Sequence, residues 1–365
     1  MPEIPFLLRR PYLLTRDVLV DRDEPDLDAL GDIEEPRRFV WSILPHAART
    51  FSACIALLPK RVAEAAAVAY LYCRTLDTYE DMVVDPVERD DALRLFAERF
   101  DSAVPGAALD IGDNHASDLR DAAHLLLVRR CELVDRVYMD LEPDVQALIR
   151  VLVSDMSEGM RWSSATFLQQ GGVLVGEEQL ARYCRGVLGH PVLFSSRLLH
   201  WNQTGDPTLP AEVERQAMTV GEMIQLANVT RDIEKDLRRG VAYHEALRGD
   251  LGVQDVEGDA DLLERVRKVR EELLVMALKR APAYRPLIEY LSPRRISMSR
   301  ASGLLMLSFT DQYFRSCARR AGREPWGERR GGGRLILEAL PAVWSQRWAG
   351  KRLAGIERDF LDAAV

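Results

Sequence analysis

The chain has no excess of basic charge: 49 lysines and arginines stand against 57 aspartates and glutamates, a formal net charge of -8. A bulk polyanion such as nucleic acid is therefore a poor partner. Cysteine is sparse. Cys54, Cys73, Cys131, Cys184 and Cys317 form no C-x-x-C pair and no small disulfide framework, which reads as reduced thiols in a cytoplasmic protein. No apolar run approaches the ~20 residues that cross a bilayer. The amino terminus lacks the basic-then-apolar order of a secretory signal, so no processing is expected. Alternating β-branched segments are rare, which argues against sheet. No P-loop (G-x-x-x-x-G-K-[ST]), H-E-x-x-H or G-x-S-x-G occurs, removing the signatures of P-loop nucleotide hydrolysis, zinc proteolysis and serine hydrolysis.

What is present is helical. Amphipathic patterns run approximately over 61–83, 117–136, 143–160, 178–201, 210–238, 260–290, 293–320 and 334–361. Asp85, Pro86 and Glu88 form a helix start, and Ser292 with Pro293 repeats the logic. The breaks at 102–114, 202–210 and 322–334 carry Gly, Pro and Asn but are too short to separate domains. The economical expectation is one all-α domain over 1–365, with a helical core at about 37–320 and a C-terminal helix at 334–365.

Three acidic residues, Asp77, Glu80 and Asp81, end an otherwise apolar helix pattern. Acidic residues at such spacing most often form a solvated face. A second pair changes that reading. Gln225, Asn228, Asp232 and Asp236 follow at spacings of three and four, on a segment that is apolar nearly all round. Tyr70, Arg74, Asp77 and Asp81 repeat the design at spacings of four, three and four. Two buried helices that each end in a carboxylate pair carry a large negative charge unless a cation sits between them. Magnesium suits such a site: it prefers oxygen, keeps waters, and is held by one or two carboxylates together with a substrate's phosphates. A diphosphate substrate follows, and Arg49, Arg74 and Arg231 are candidates for its oxygens.

These residues resemble the squalene and phytoene synthase family, the head-to-head branch of the all-α isoprenoid synthases. "ARTFSACIALLP" is similar to the family's S-R-S-F opening, with Arg49 and Phe51 in register. "YLYCRTLDTYED" resembles its first aspartate motif and "LARYCRGVLG" its Y-C-x-x-V-A-G segment, which places Tyr183 at the mechanistic tyrosine. "QLANVTRDIEKDLRRGVAY" resembles the second aspartate motif and ends at Tyr243. Four motifs in order span Arg49 to Tyr243. The chain departs from the family at Leu188 to Val192, where A-G-x-V-G is usual, at Lys235, and after Tyr243, where Y-L-P is replaced.

The resemblance implies a helical bundle around a central apolar cavity, with two prenyl diphosphates, of farnesyl type, condensed through a cyclopropylcarbinyl diphosphate to squalene. It implies Mg2+ held by Asp77, Asp81, Asn228, Asp232 and Asp236. Substrate contacts from Arg49, Phe51, Tyr70, Arg74, Gln225, Asn228, Arg231 and Tyr243 follow from it, with catalysis by Tyr183 and the four aspartates. NADPH enters only if the product is squalene; a phytoene or dehydrosqualene type of ending uses deprotonation. A member of the same fold that binds without catalysis is the alternative from another class, and retention of all four aspartates argues against it. Leu335, Leu337, Leu340, Trp344 and Trp348, near Arg347, Lys351 and Arg352, form a candidate peripheral membrane contact, though core packing is the commoner role for such a stretch. Oligomeric state leaves no mark in the sequence.

Overall fold

The computed structural model describes residues 6–21, 23–48, 50–102, 104–112, 115–322 and 331–364, the side chains of 6, 7 and 361–364 excepted. Helices α1 (Phe6–Leu19), α2 (Leu27–Gly31), α3 (Pro36–Ala48) and α4 (Thr50–Leu57) lead into α5 (Lys60–Met82). Next come α6 (Pro86–Glu98), α7 (Leu119–Arg129), α8 (Cys131–Met139) and the long α9 (Pro143–Gln169). After α10 (Gly176–Cys184), a π-helical turn (Arg185–Gly189) and α11 (His190–Thr204), the chain forms α12 (Ala211–Arg238). It ends with α13 (Ala260–Leu278), α14 (Tyr284–Leu291), α15 (Met298–Arg320), α16 (Gly332–Ala339) and α17 (Gln346–Ala364). Among the described residues there is no strand, only an isolated bridge between Val173 and Ala242. The all-α expectation holds.

Local signals account for several of these elements. Asp85 caps α6 by accepting from the backbone N–H groups of Val87 and Glu88, with Pro86 at the first position. The expected start at Ser292 and Pro293 is corrected: α15 begins at Met298, with Ser297 as its cap. The reason is Arg300. Its buried guanidinium donates to Ser292 O (3.0 Å) and Ala342 O (3.1 Å), and so holds the turn before the helix by its carbonyls. Helix α9 runs nine residues beyond the expected 160, because the buried Ser163 and Thr166 return their hydroxyls to Met160 O and Trp162 O rather than exposing them.

The stretch expected as one helix over 178–201 is interrupted by a π-helical turn at Arg185–Gly189. Pro191 has no N–H to give the preceding turn, and the π-helical turn just before it absorbs the misfit. That turn is gripped on both sides by glycines. A Cβ on Gly159 of α9 would lie 2.7 Å from Gly186 Cα, and one on Gly221 of α12 would lie 2.6 Å from Leu188 O. Backbone meets backbone there, so neither neighbour can yield as a flexible side chain would. Gly221→Ala is expected to cost about 3 kcal/mol, as strong overpacking does. Because Val187 and Leu188 line the central cavity, the cavity should be deformed as well. A denaturant melt coincident with wild type would refute this.

Buried apolar residues form two clusters, one around α12, α13 and α15 and the other around α3, α5, α8 and α9. Leu14, Phe51 and Leu199 pack against both. A cavity of about 270 Å³ is walled by α4, α5, α11, α12, α14 and α15.

Candidate active site

One face of α5 lines the cavity with Val62, Ala66, Ala69, Tyr70, Cys73, Arg74 and Asp77. At 1.5 Å per residue this is about 22 Å of helix. The alanines of "VAEAAAVAYLYC" keep that face thin, so space remains where larger side chains would close it. Along α5 the lining changes from apolar to polar: Arg74 and Asp77 stand with Gln225 and Asn228 on α12, and the remainder, with Val62, Leu291 and Met306, is apolar except for four serines, of which Ser195, Ser196 and Ser302 return their hydroxyls to backbone carbonyls.

The aspartate pairs belong to the last turns of α5 and α12, and the structure brings those turns together. Arg239, which caps α12, donates to the Asp81 carboxylate at 3.0 Å and to Asp81 O at 3.1 Å, across 158 positions of sequence. Burial pushes the Asp236 carboxyl up to about 7, helped by Asp232 and, from the facing helix, by Asp81. Asp77 is raised to about 6 by burial, and Asp81 adds to this against the pull of Arg74. Glu80 rises further, to about 8, through burial and the negative charge of Asp81 and Asp77, while Ser163 Oγ lies 3.3 Å from its Oε1. Sequence reasoning noticed Glu80 but gave it no role, because only the packing of α5 against α9 buries it.

Each arginine here has a carboxylate partner. Arg74 lies 3.2 Å from Asp77 and donates to Tyr70 Oη at 3.1 Å. Its Nε is buried and makes no hydrogen bond. Arg231 grips Asp232 through two bonds of 2.7 and 2.5 Å and lies over the Tyr313 ring, 4.8 Å from its centroid. Tyr313, on α15, carried no sequence signal. Phe51 and Tyr70 pack with tilted rings, 5.6 Å between centroids, and both line the cavity. Arg49 lies outside the described residues.

Tyr183 and Tyr243 are not on the cavity wall but directly behind it. Their hydroxyls are 3.2 Å apart, Gln225 Nε2 donates to Tyr183 Oη at 3.4 Å, and Asn228 Nδ2 donates to Gln225 Oε1 at 3.1 Å. Phe167 packs edge-on against both rings. The Tyr183 phenol is held well above its ordinary value by burial and by Glu80. A chain of polar groups thus runs from the cavity lining at Asn228 to the two tyrosines.

Among the described residues no three carboxylate, histidine or cysteine side chains already converge as ligands of one metal ion. The donors nevertheless suit a hard divalent cation. They are oxygen-bearing, drawn from two facing helices, and raise one another's pKa, so a cation between them relieves repulsion. The orphaned Arg74 Nε beside them suits an anionic oxygen.

A family profile described as squalene/phytoene synthase matches residues 44–330. The squalene synthase of Schizosaccharomyces pombe is 26% identical over 216 residues, which cover 58% of this chain and 45% of that enzyme. A 15-cis-phytoene synthase of Synechocystis is 23% identical over 286 residues, covering 75% and 73%. The lycopaoctaene synthase of Botryococcus braunii is 28% identical over 214 residues, covering 56% and 43%. The chain thus spans under half the length of the yeast and algal enzymes it matches. A solved chain of TcSQS, in complex with the ligand BPH1237, superposes with a TM-score of 0.65 at 19% identity, covering 91% of this chain and 99% of that one.

Proposed function

The chain belongs to the squalene/phytoene synthase family, and from that premise we propose that it joins two prenyl diphosphates head to head, with loss of diphosphate and a proton, through a cyclopropylcarbinyl diphosphate. Farnesyl diphosphate is the proposed substrate and squalene the proposed product. The observation that carries this reading is the pairing of two carboxylate-bearing helix ends with an apolar cavity whose polar end bears Arg74, Asp77, Gln225 and Asn228.

Asp77, Asp81, Asn228, Asp232 and Asp236 are the residues to hold Mg2+, which when bound neutralises the diphosphate and makes it a better leaving group. Arg74 binds diphosphate oxygen through its free Nε–H, and Arg231 joins it by exchanging Asp232 for phosphate. Phe51 and Tyr70 bring two aromatic rings to the cavity wall, and a carbon developing positive charge over a ring face there is stabilised by the ring quadrupole. The apolar remainder holds the tails and keeps water from the cation. Tyr183, fixed by Tyr243 and Gln225, orients the proton loss that closes the three-membered ring.

The squalene ending takes a hydride from NADPH. No G-x-G-x-x-G fingerprint occurs in the sequence. A second ending, deprotonation to a phytoene-type triene, is favoured by the longer alignment with the phytoene synthase, 286 residues against 216. Mass spectrometry of products from farnesyl and from geranylgeranyl diphosphate, each with and without NADPH, decides between them. Squalene formed only with farnesyl diphosphate and NADPH is expected. A cofactor-independent triene replaces the squalene reading, and no product with tight binding of magnesium and a non-hydrolysable prenyl diphosphate would indicate a member that binds without catalysis.

A further inference from the structure

Helix α1 buries Leu13 in the core but presents an uncharged, largely apolar outer side. Its exposed positions are Leu8, Pro11, Tyr12, Thr15, Val18 and Leu19, three and four apart along one side, and none is charged. Leu8 is 70% exposed, Tyr12 65% and Leu19 76%. Three of its four charged residues turn to the protein, and the fourth, Arg9, is half-buried. Arg10 donates to Ala56 O at 3.0 Å and to Leu58 O at 2.7 Å, Asp17 accepts from Ser52 Oγ, and Arg16 donates to Trp41 O. An ordinary surface helix hydrates its charges and leaves few large apolar groups outside, whereas α1 buries Leu13 and still exposes Leu8, Tyr12, Val18 and Leu19.

The strip continues onto the carboxy-terminal helices. Val18 packs beside Gly333, where an added Cβ would lie 3.4 Å from Val18 Cγ1. One turn further along α16, Leu337 is 69% exposed, and beyond it Trp344 is 65% exposed. Of the C-terminal residues singled out from the sequence, Leu335 is buried in the core, whereas Leu337, Trp344 and Trp348 face outward. Trp348 ties its ring N–H to Glu338 O at 3.0 Å. Arg347 and Lys351 are exposed on α17, and Arg334 on α16 is exposed while paired with Glu338 at 3.1 Å.

We propose that the outer face of α1, with Leu337 and Trp344, is a docking surface for an anionic lipid bilayer. The apolar strip enters the boundary between headgroups and acyl chains, Tyr12 and Trp344 sit at the level where amphipathic rings are favoured, and the arginines and lysine meet lipid phosphates. Charge at the carboxy-terminal margin selects this occupant over a second copy of the chain, since pairing two such faces would bring Arg347 and Lys351 of each copy together while an anionic surface neutralises them; the exposed Asp21, Asp23 and Glu24 lie past the end of α1. Docking does not depend on the reaction proposed above, but it would serve it. Helix α1 packs on α4, and α4 supplies Phe51, Cys54 and Ile55 to the cavity wall, so the docked protein holds that wall on the bilayer side, where long isoprenoids reside.

The test is flotation of the full chain with vesicles of phosphatidylcholine, with and without phosphatidylglycerol. Wild type should float with the mixed vesicles and less with phosphatidylcholine alone. The double variant Tyr12→Ser/Leu19→Ser should lose at least about tenfold in partitioning, as removal of two interfacial anchors predicts. Leu337→Ser/Trp344→Ser should lose a similar amount, and serves if the first variant misfolds. Val87→Ser/Leu168→Ser, at positions as exposed on α6 and α9, should float like wild type. Failure of wild type to float, or equal loss in this last variant, overturns the proposal. So does sedimentation of wild type as a dimer that the α1 variant dissolves, which would make the strip a contact between copies.

Discussion

Asp77→Asn is expected to lower turnover by about a hundredfold to a thousandfold, the range seen when one oriented electrostatic group is removed from an active site, and to leave the chain folded. Asp77 is the aspartate of the four that lines the cavity itself, so the substitution removes a carboxylate where the leaving diphosphate and its metal would meet. Asn keeps the shape and can still accept from Arg74, which lies 3.2 Å away in wild type. The cost therefore falls on chemistry rather than packing.

Stability should move the other way, and with a defined pH dependence. Burial raises Asp77 from its ordinary 3.8 to about 6, Asp236 from 3.8 to about 7, and Glu80 from 4.5 to about 8. An acid whose pKa is higher in the folded state keeps its proton there when the unfolded chain has already lost it. Stability then falls as pH rises from near 4 through these folded values, and below that window the contribution vanishes. The metal-free protein should accordingly melt lower at pH 8 than at pH 5, and Asp77→Asn should narrow the difference by melting above wild type at pH 8. Near-normal turnover of Asp77→Asn at limiting magnesium would remove Asp77 from the metal site, and an unchanged pH profile of melting would remove the buried-charge argument.

Tyr183→Phe should reduce product formation by about a hundredfold or more while leaving farnesyl diphosphate affinity nearly unchanged. The hydroxyl lies behind the cavity wall, 3.2 Å from Tyr243 Oη and 3.4 Å from Gln225 Nε2, so it contributes nothing to holding the tails. Removing it takes the hydroxyl partner from Tyr243 Oη and Gln225 Nε2 and leaves Gln225, at the polar end of the cavity, held by Asn228 alone. Single-turnover analysis should show either no carbon–carbon bond formation or accumulation of the cyclopropyl diphosphate. A variant with wild-type rate and product would return Tyr183 to the role of a core tyrosine braced by Phe167. Tyr243→Phe supplies the comparison. Its hydroxyl is bonded to Tyr183 but not to Gln225, so a smaller loss is expected.

The sequence by itself determined what lies along a single helix. The spacings of Tyr70, Arg74, Asp77 and Asp81, and of Gln225, Asn228, Asp232 and Asp236, place each set on one face because the α-helical period leaves no freedom, and Asp85 with Pro86 starts α6 by local chemistry alone. Only the tertiary structure decided what meets across helices. Arg239 reaches Asp81 over 158 positions, α15 carries Tyr313 to Arg231, and α9 covers Glu80. Pro191 was legible as a residue, yet the π-helical turn that accommodates it depends on the glycine contacts with α9 and α12. The orientation of α1 was undetermined for the same reason: the sequence shows apolar residues on more than one side, and the side that turns inward carries Leu13 together with Arg10, which finds the carbonyls of Ala56 and Leu58 at the end of α4 and just beyond it. Spacing along a helix is set by backbone geometry, whereas the partner of each face is chosen by packing and by the hydrogen bonds that buried groups must find.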